Sequence, residues 1–357
     1  MAGALGLEPR NAGSKGRCLT NLATPQKSRL QSGFYLSMLI RIGRREAEKS
    51  DESASPPSLP WTLSPDRRNE FRRVRIRTPV GATKPMAGRA VLVTGATSGI
   101  GLETARQLAA IGARVILGVR DPARGAEVAA HIAREGGSAE VLPIDLASFR
   151  SVREAAARFE ASHSNLEVLV NNAGTAVPRR QVTGDGHELT WQTNFLSGFL
   201  LTRLLLPVLK RGERPRIVNV SSEGHRKGRI DWGNLELERA FGGFQAYANT
   251  KLAQILFTRE LARRERDLTV NALHPGAIAT RIWRNAPPVL RYILMAILPS
   301  PAKGAAPVTR LASDPALDGV TGRYFKRFRE AAPSTAASSD ADAARLWQVA
   351  EEQIGLA

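Results

Sequence analysis

The chain has 357 residues, 43% of them hydrophobic, which is enough for one large domain or two small domains with a buried core. Its single cysteine, Cys18, excludes an intrachain disulfide and a cysteine-based metal site, and it fits a reducing, cytoplasmic location. The net charge of +18 is uneven, because residues 1–85 hold 16 Lys/Arg and only 7 Asp/Glu.

Residues 1–85 lack a sustained helical or strand period and are rich in Pro, Ser and Arg, which predicts a disordered basic extension. Its basic residues do not interleave with aromatic ones, so a solvated tail without a nucleic-acid partner is expected. The apolar segment 33–40 is far shorter than the roughly 20 residues of a membrane span. The extension is alternatively a targeting segment, against which the acidic run 46–52 argues, or the product of a mis-assigned start before Met86.

From residue 88 onward, short Val/Ile/Leu runs alternate with longer segments rich in Ala, Arg and Glu. The apolar runs cover 90–94, 114–119, 140–144, 166–170, 216–220 and 269–274. Because these runs are apolar throughout, the predicted sheet is covered on both faces. The repeated strand–helix order predicts a doubly wound parallel α/β sheet, a Rossmann fold, forming one domain over residues 86–357.

The first predicted strand runs directly into 94-TGATSGIG-101 and then into a helix. Glycines at Gly95, Gly99 and Gly101 permit a tight turn and a close backbone approach to a pyrophosphate, and the helix N-terminus supplies N–H groups. A glycine triplet alone is weak, but its place between a strand and a helix predicts dinucleotide binding.

The end of the second strand carries Arg120 followed by Asp121. An arginine at this point accommodates a 2′-phosphate, whereas an acidic residue holds a ribose 2′-hydroxyl. Arg120 therefore favours NADP(H), and the adjacent Asp121 leaves NAD(H) open. An ordinary surface arginine is the alternative interpretation of Arg120.

The stretch 247-YANTK-251 places Tyr247 and Lys251 four residues apart in a segment of helical composition, so both side chains can share one helix face. A tyrosine with a pKa of about 10 exchanges protons near neutral pH only if its phenolate is stabilised, which a nearby ammonium does. Ser222 follows the apolar run 216–220 and is placed to donate a hydrogen bond to a substrate oxygen; Ser221 is the competing candidate.

Six motifs occur in the order found in short-chain dehydrogenases/reductases, and the similarity covers about residues 86–357. They are TGATSGIG (94–101), DLAS (145–148), NNAG (171–174), NVSS (219–222), YANTK (247–251) and PGAIAT (275–280). Within that superfamily the chain most resembles the retinol dehydrogenase-like group. The details are the 25-residue gap from Ser222 to Tyr247, the segment 249–264 and the tail 345–356.

The resemblance implies that Tyr247 is the general acid/base and that Lys251 tunes it and holds the nicotinamide ribose. It selects Ser222 over Ser221 as the substrate-positioning serine, and it implies that Asn194 supports a water-linked proton relay to the lysine. Asp145 would contact the adenine amine, although it is alternatively an N-cap of the following helix. The other residues placed at the cofactor are Ser98, Ile100, Leu146, Asn172, Gly174, Pro275, Gly276 and Thr280.

The remaining sequence features concern metals, substrate and assembly. His225 and His274 lack a compact ligand set, so structural roles and no metal are expected. The apolar segment 288–299 predicts a lid over about 277–303 for a lipophilic carbonyl or alcohol, or alternatively a core or dimer-packing helix. It is too short to span a membrane, and the resemblance makes a homo-oligomer an open expectation.

The predicted function is NADP(H)-dependent hydride transfer between nicotinamide and a lipophilic aldehyde, ketone or alcohol. The alternative is a catalytically silent NADP(H)-binding regulatory protein of the same fold. Such a protein would be expected to have lost the Tyr247/Lys251 pair, which this chain retains.

Overall fold

The computed structural model describes residues 84–278 and 299–356, together with two short antiparallel strands, Leu63–Ser64 and Arg75–Ile76. The other residues of the predicted N-terminal extension, and positions 279–298 of the predicted lid, lie outside the described residues. The disorder of the extension and the role of the lid therefore stay predictions.

An eight-stranded sheet forms the centre of the fold. Its strands are β1 (Ala90–Thr94), β2 (Arg114–Val119), β3 (Ser138–Pro143), β4 (Val168–Asn171), β5 (Arg216–Val220), β6 (Thr269–His274), β7 (Tyr324–Lys326) and β8 (Arg329–Glu330). The strand order is β8-β7-β6-β5-β4-β1-β2-β3. Strands β1 to β7 pair in parallel, and β8 pairs antiparallel with β7. The predicted doubly wound parallel sheet is confirmed.

Helices connect the strands and cover both faces of the sheet. They are α1 (Gly99–Ala110), α2 (Pro122–Arg134), α3 (Phe149–Ser162), α4 (Ser197–Leu209), α5 (Gly243–Arg264), α6 (Pro301–Ser313) and α7 (Asp340–Gln353). Helix α4 is preceded by a helical turn, Leu189–Trp191, and a π-helical turn, Gln192–Leu196. Among the described residues, no helix combines the length and the apolar character needed to cross a membrane.

Two apolar layers sandwich the sheet. On β1, Leu92 faces the layer built by α3, α4, α5 and α7, whereas Val91 and Val93 face the layer built by α1, α2 and α6. All three side chains are fully buried. Since successive strand residues point to opposite faces, burial on both faces explains why β1 is almost entirely apolar.

The strand order reverses at β1, with β2 and β3 on one side and β4 on the other. In open parallel sheets this reversal opens a crevice at the carboxyl ends of the strands, where ligands bind. The turns that follow β1 and β4 border that crevice, and the 94–101 and 171–174 motifs lie in those turns.

Candidate active site

The turn from β1 to α1 requires glycine at three positions. Gly95 and Gly99 have φ values of +69° and +59°, a backbone region that favours glycine. A Cβ at Gly101 would lie 2.5 Å from the carbonyl oxygen of Gly95. Ser98, the N-cap of α1, makes no side-chain hydrogen bond to the helix. Backbone N–H groups in the first turn of a helix lack intrahelical partners, so this turn fits a phosphate group.

Thr94 ties the turn after β1 to the turn after β4. Its hydroxyl accepts hydrogen bonds from the backbone N–H groups of Asn172 (3.0 Å) and Ala173 (3.1 Å). The Asn172 amide in turn donates to the Thr94 carbonyl at 2.8 Å. Gly174 follows, and a Cβ there would lie 3.7 Å from Lys251 Nζ. Thr94, which is not among the predicted site residues, thus fixes Asn172 and the chain that leads to Gly174 beside the lysine.

At the carboxyl end of β2, the structure separates the roles of Arg120 and Asp121. The Asp121 carboxylate caps α2 by accepting from the backbone N–H of Arg124 at 3.1 Å. Arg120 is exposed. Arg124 Nε also donates to the carbonyl of Thr97 in the glycine turn at 3.4 Å. The acidic residue is therefore engaged as a helix cap, and two guanidinium groups lie near this end of the strand.

The residues after β3 form a short turn before α3. Asp145 accepts a hydrogen bond from the Ala147 N–H at 3.0 Å, and Ser148, not Asp145, caps α3. The carbonyl of the buried Leu146 accepts from the Ser197 hydroxyl at 2.6 Å. The half-buried Asp145 thus lies in the turn after β3, and the alternative N-cap role belongs to Ser148.

The remaining predicted cofactor residues lie on both sides of the crevice. Ile100, half-buried in the first turn of α1, lies close to Gly304 of α6. Pro275 and Gly276 are buried directly after β6, and Gly276 has a φ of +109°. Thr280 lies outside the described residues.

Ser222 and Tyr247 contact one another at the carboxyl end of β5. The Ser222 hydroxyl hydrogen-bonds to Tyr247 and also accepts from the Gly224 N–H at 3.1 Å. The neighbouring Ser221 points elsewhere, because its hydroxyl donates to the Lys251 carbonyl at 2.7 Å. The structure therefore places Ser222, and not Ser221, beside the tyrosine.

Lys251 lies one turn after Tyr247 on α5, and only 4% of it is exposed. Its Nζ lies 5.4 Å from the Tyr247 ring centroid. It donates to the Val220 carbonyl at 2.8 Å and to Gln254 Oε1 at 3.0 Å. The Gln254 amide donates to the carbonyl of Asn194 at 2.8 Å. The helical spacing of the YANTK stretch therefore does bring the pair together.

The π-helical turn presents Asn194 to two neighbouring segments. Its Oδ1 accepts from the Thr175 N–H at 2.7 Å, and its Nδ2 donates to the Thr175 carbonyl at 2.9 Å. The same Nδ2 donates to the Thr250 hydroxyl at 3.1 Å, which itself donates to the Tyr247 carbonyl at 2.7 Å. Asn194 therefore joins the loop after Gly174 to the helix that carries the tyrosine.

Burial sets the protonation behaviour of the pair. Burial raises the pKa of Tyr247, against the opposing effect of its hydrogen bond from Ser222, and burial lowers the pKa of Lys251 to about 7. The Lys251 hydrogen bonds are directed at Val220 and Gln254. The expectation that Lys251 lowers the Tyr247 pKa stays a prediction.

Two buried histidines, His225 and His274, lie near the carboxyl ends of β5 and β6. His225 Nδ1 lies 2.7 Å from the Ser222 carbonyl, and its Nε2 accepts from the Ser334 N–H at 3.1 Å, so the proton sits on Nδ1. Burial lowers the pKa of His225, and that of His274 to about 4. Within the described part of the chain, no three His, Cys, Asp or Glu side chains gather where they could hold a metal ion.

These features define a Rossmann-fold enzyme with a nucleotide crevice and an adjoining serine, tyrosine and lysine. The chain belongs to the short-chain dehydrogenase family, an NAD(P)-dependent class of oxidoreductases, whose family profile matches residues 89–289. The predicted family membership is therefore confirmed.

Comparison with similar proteins indicates which group of the short-chain dehydrogenase family the chain is related to. Retinol dehydrogenase 14 of Homo sapiens is 39% identical over 294 residues, covering 76% of this chain and 88% of that relative. Polyprenol dehydrogenase of Mus musculus is 41% identical over 293 residues, covering 78% and 87%. A Pseudomonas aeruginosa RhlG/NADP active-site complex is 29% identical with a TM-score of 0.56, covering 69% of this chain and 97% of that chain. The chain is thus related to the retinol dehydrogenase-like group.

Proposed function

We propose that the protein transfers a hydride between NADP(H) and a lipophilic aldehyde, ketone or alcohol. In this proposal Tyr247 exchanges a proton with the substrate oxygen, Ser222 orients that oxygen, and Lys251 holds the cofactor ribose. Asn194 fixes the loop and helix that surround the lysine. NADP(H), when bound, supplies or accepts the hydride.

The observation that carries the proposal is the contact between Ser222 and Tyr247 directly beside a buried Lys251. Two of the three N–H donors of the lysine ammonium go to protein acceptors, which leaves one for a ribose hydroxyl. A silent regulatory protein would need neither a buried lysine nor a tyrosine paired with a serine hydroxyl. Burying a lysine ammonium costs stability even when it is partly hydrogen-bonded, and a protein without turnover would gain nothing in return for that cost.

Support for an NADP preference comes from the end of β2. The Asp121 carboxylate is engaged as a helix cap, while Arg120 is exposed and Arg124 reaches toward the glycine turn. Two guanidinium groups favour a 2′-phosphate over a 2′-hydroxyl. The RhlG structure, which shares this fold, was solved with NADP.

Support for a lipophilic substrate comes from the relatives and from the sequence. The similar proteins are named for retinol and polyprenol, both long apolar alcohols. The apolar segment 288–299 follows Gly276 in the sequence, and its residues 288–298 lie outside the described residues. An apolar pocket of the kind predicted for this region suits such chains.

The decisive experiment is an NADPH-oxidation screen over lipophilic aldehydes and ketones with wild type, Tyr247→Phe and Tyr324→Phe. Both variants remove one tyrosine hydroxyl, but the Tyr324 hydroxyl donates to Glu223 (2.9 Å) and is not assigned to proton transfer. We expect Tyr247→Phe to lose at least about a hundred-fold in kcat, since general acid–base catalysis contributes 10²–10⁴-fold, while Tyr324→Phe retains most activity. Equal activity in wild type and Tyr247→Phe would overturn the proposal.

A further inference from the structure

Gln254 lies on α5, three residues after Lys251, and is 4% exposed. It receives a hydrogen bond from the lysine Nζ at 3.0 Å and gives one to the Asn194 carbonyl at 2.8 Å. The contact with Asn194 joins residues 60 positions apart in sequence. A single buried amide thus touches both the lysine and the π-helical turn.

The chemistry of its partners fixes the orientation of this amide. A backbone carbonyl only accepts hydrogen bonds, so the Gln254 NH₂ group must face Asn194. A lysine ammonium only donates, so the Gln254 oxygen must face Lys251. A flipped amide would set two acceptors against each other at Asn194 and two donors against each other at Lys251. The Lys251 Nζ is therefore held at a defined place by two acceptors, Gln254 and the carbonyl of Val220.

We propose that Gln254 is a positioning residue that couples Lys251 to the π-helical turn and directs the remaining lysine N–H toward the reaction centre. The inference rests on the proposed function, because it assigns Lys251 a role at the cofactor. The π-helical turn Gln192–Leu196 supports it, since such turns inside helices frequently mark functional sites. The Asn194–Lys251 relay implied by the family resemblance is water-linked, whereas here a protein amide contacts both residues.

Two substitutions of Gln254 test its hydrogen bonds to Lys251 and to Asn194. Gln254→Met keeps the side-chain length but removes both hydrogen bonds. Gln254→Glu keeps an acceptor for Lys251, adds a negative charge beside it, and removes the donor to Asn194. Because acceptors and opposite charges favour an ammonium, the lysine pKa should fall by about one unit with Met and rise by about one to three units with Glu.

Gln107 provides a matched control. It is also 4% exposed and also makes two hydrogen bonds, donating to the Ala302 carbonyl at 3.0 Å and accepting from Thr309 at 2.9 Å. These partners belong to α6, away from Lys251 and Asn194. Gln107→Met therefore removes an equally buried amide without touching the proposed link. A purely structural role of Gln254 predicts the same behaviour for Gln107→Met and Gln254→Met.

The first readout needs neither cofactor nor turnover. The full-length protein is labelled with ¹³C at lysine Cε, and the chain has nine lysines, so the Lys251 resonance is assigned by its loss in Lys251→Met. We expect its titration midpoint, near pH 7 in wild type, to move down in Gln254→Met, up in Gln254→Glu, and not at all in Gln107→Met. An unchanged midpoint in both Gln254 variants would overturn the inference. If Gln254→Met does not fold, the near-isosteric Gln254→Glu decides alone.

The second readout is the pH profile of kcat for NADPH-dependent reduction. We expect Gln254→Met to lower kcat by about ten-fold or more through misplacement of the lysine, with its pH midpoint displaced in the same direction as in the NMR titration. Activity that survives Tyr247→Phe would defeat the proposed function. Activity that is lost in Tyr247→Phe but is equal in Gln254→Met and Gln107→Met would defeat only the present inference.

Discussion

The imidazole of His225 hydrogen-bonds the backbone carbonyl of Ser222 at 2.7 Å. The backbone of Ser222, whose hydroxyl is proposed to orient the substrate, is therefore held by the buried, neutral imidazole of His225. Since the same ring accepts from the Ser334 N–H, it also links that serine to the segment preceding α7.

Removing this anchor should reduce turnover more than substrate binding. We expect His225→Phe, which keeps ring volume but no hydrogen bond, to lower kcat by about ten-fold with a smaller change in KM, because Ser222 loses its fixed position. His225→Asn retains a donor for the Ser222 carbonyl and should recover most of that loss. Steady-state kinetics with an accepted aldehyde measure both, with the half-exposed His131→Asn as control. Equal losses in His225→Phe and His225→Asn would contradict the anchoring role.

Acid should destabilise the protein through His274. It is 8% exposed, its Nδ1 has no hydrogen-bond partner among the described residues, and burial lowers its pKa to about 4. The titratable groups facing it are Glu223, Lys326, Arg327 and the neutral His225. Between pH 4 and about 6.5 the unfolded chain binds a proton at His274 that the folded chain does not, so stability falls as the pH falls through this window.

Urea unfolding at pH 7 and pH 5 measures this effect. For a folded pKa of about 4, linkage gives a His274 contribution of about 2 kcal/mol to the loss of stability between those two pH values. We expect His274→Asn to lose less stability than wild type over that interval by roughly this amount. A wild-type and a variant curve that stay parallel from pH 7 to pH 5 would show that His274 does not titrate as described.

Helix α7 should contribute strongly to stability through Trp347. This side chain is 4% exposed, lies edge-on to Phe199 at 4.9 Å between centroids, and carries the guanidinium groups of Arg203 and Arg264 over its ring. We expect Trp347→Ala to lower the free energy of unfolding by about 3–5 kcal/mol in chemical denaturation. Leu356→Ala, at a residue 38% exposed, should change it by less than about 0.5 kcal/mol. Similar losses in the two variants would mean that α7 does not complete the core.

The choice between NADPH and NADH should depend on the arginines after β2. We expect Arg120→Ala and Arg124→Ala each to weaken NADPH binding by roughly ten- to a hundred-fold, the value of one charge-assisted hydrogen bond, while NADH binding changes little. Fluorescence titration with both nucleotides measures the two affinities. Arg134→Ala serves as control, because Arg134 is an exposed residue in the last turn of α2, the helix that also carries Arg124. Equal weakening of NADPH and NADH by Arg120→Ala would remove the 2′-phosphate interpretation.

The sequence predicts most of the sheet because its main strands are long and buried on both faces. The run 216–220 matches β5, and 269–274 matches β6, since both are rich in Val, Ile, Leu or Ala and almost completely buried. The sequence does not predict β7 and β8, which are three and two residues long and too short for any period to show. Yet β7 supplies Tyr324, whose hydroxyl donates to Glu223 next to the serine.

The site is predictable only where a motif defines it. Ser222 and Tyr247 are found from their motifs, whereas Thr94, His225 and Gln254 are not. Each of these three bonds to backbone atoms of a distant segment, and neither the residue type nor its spacing indicates such a partner. The sequence also does not predict that the pKa of Lys251 is lowered, because the direction of the shift depends on how completely the lysine is buried.

The π-helical turn Gln192–Leu196 constrains the number of residues in this helical segment. A π turn holds one residue more than an α turn, and one residue corresponds to about 100° of rotation around a helix. The extra residue therefore offsets the direction in which Asn194 points from the direction of the apolar face of α4, although both lie in one continuous helical segment. Removing a single residue at this turn would rotate Asn194 out of reach of Thr175 or turn Phe199 away from the core. The number of residues here, independently of their identity, determines whether the site and the core can form together.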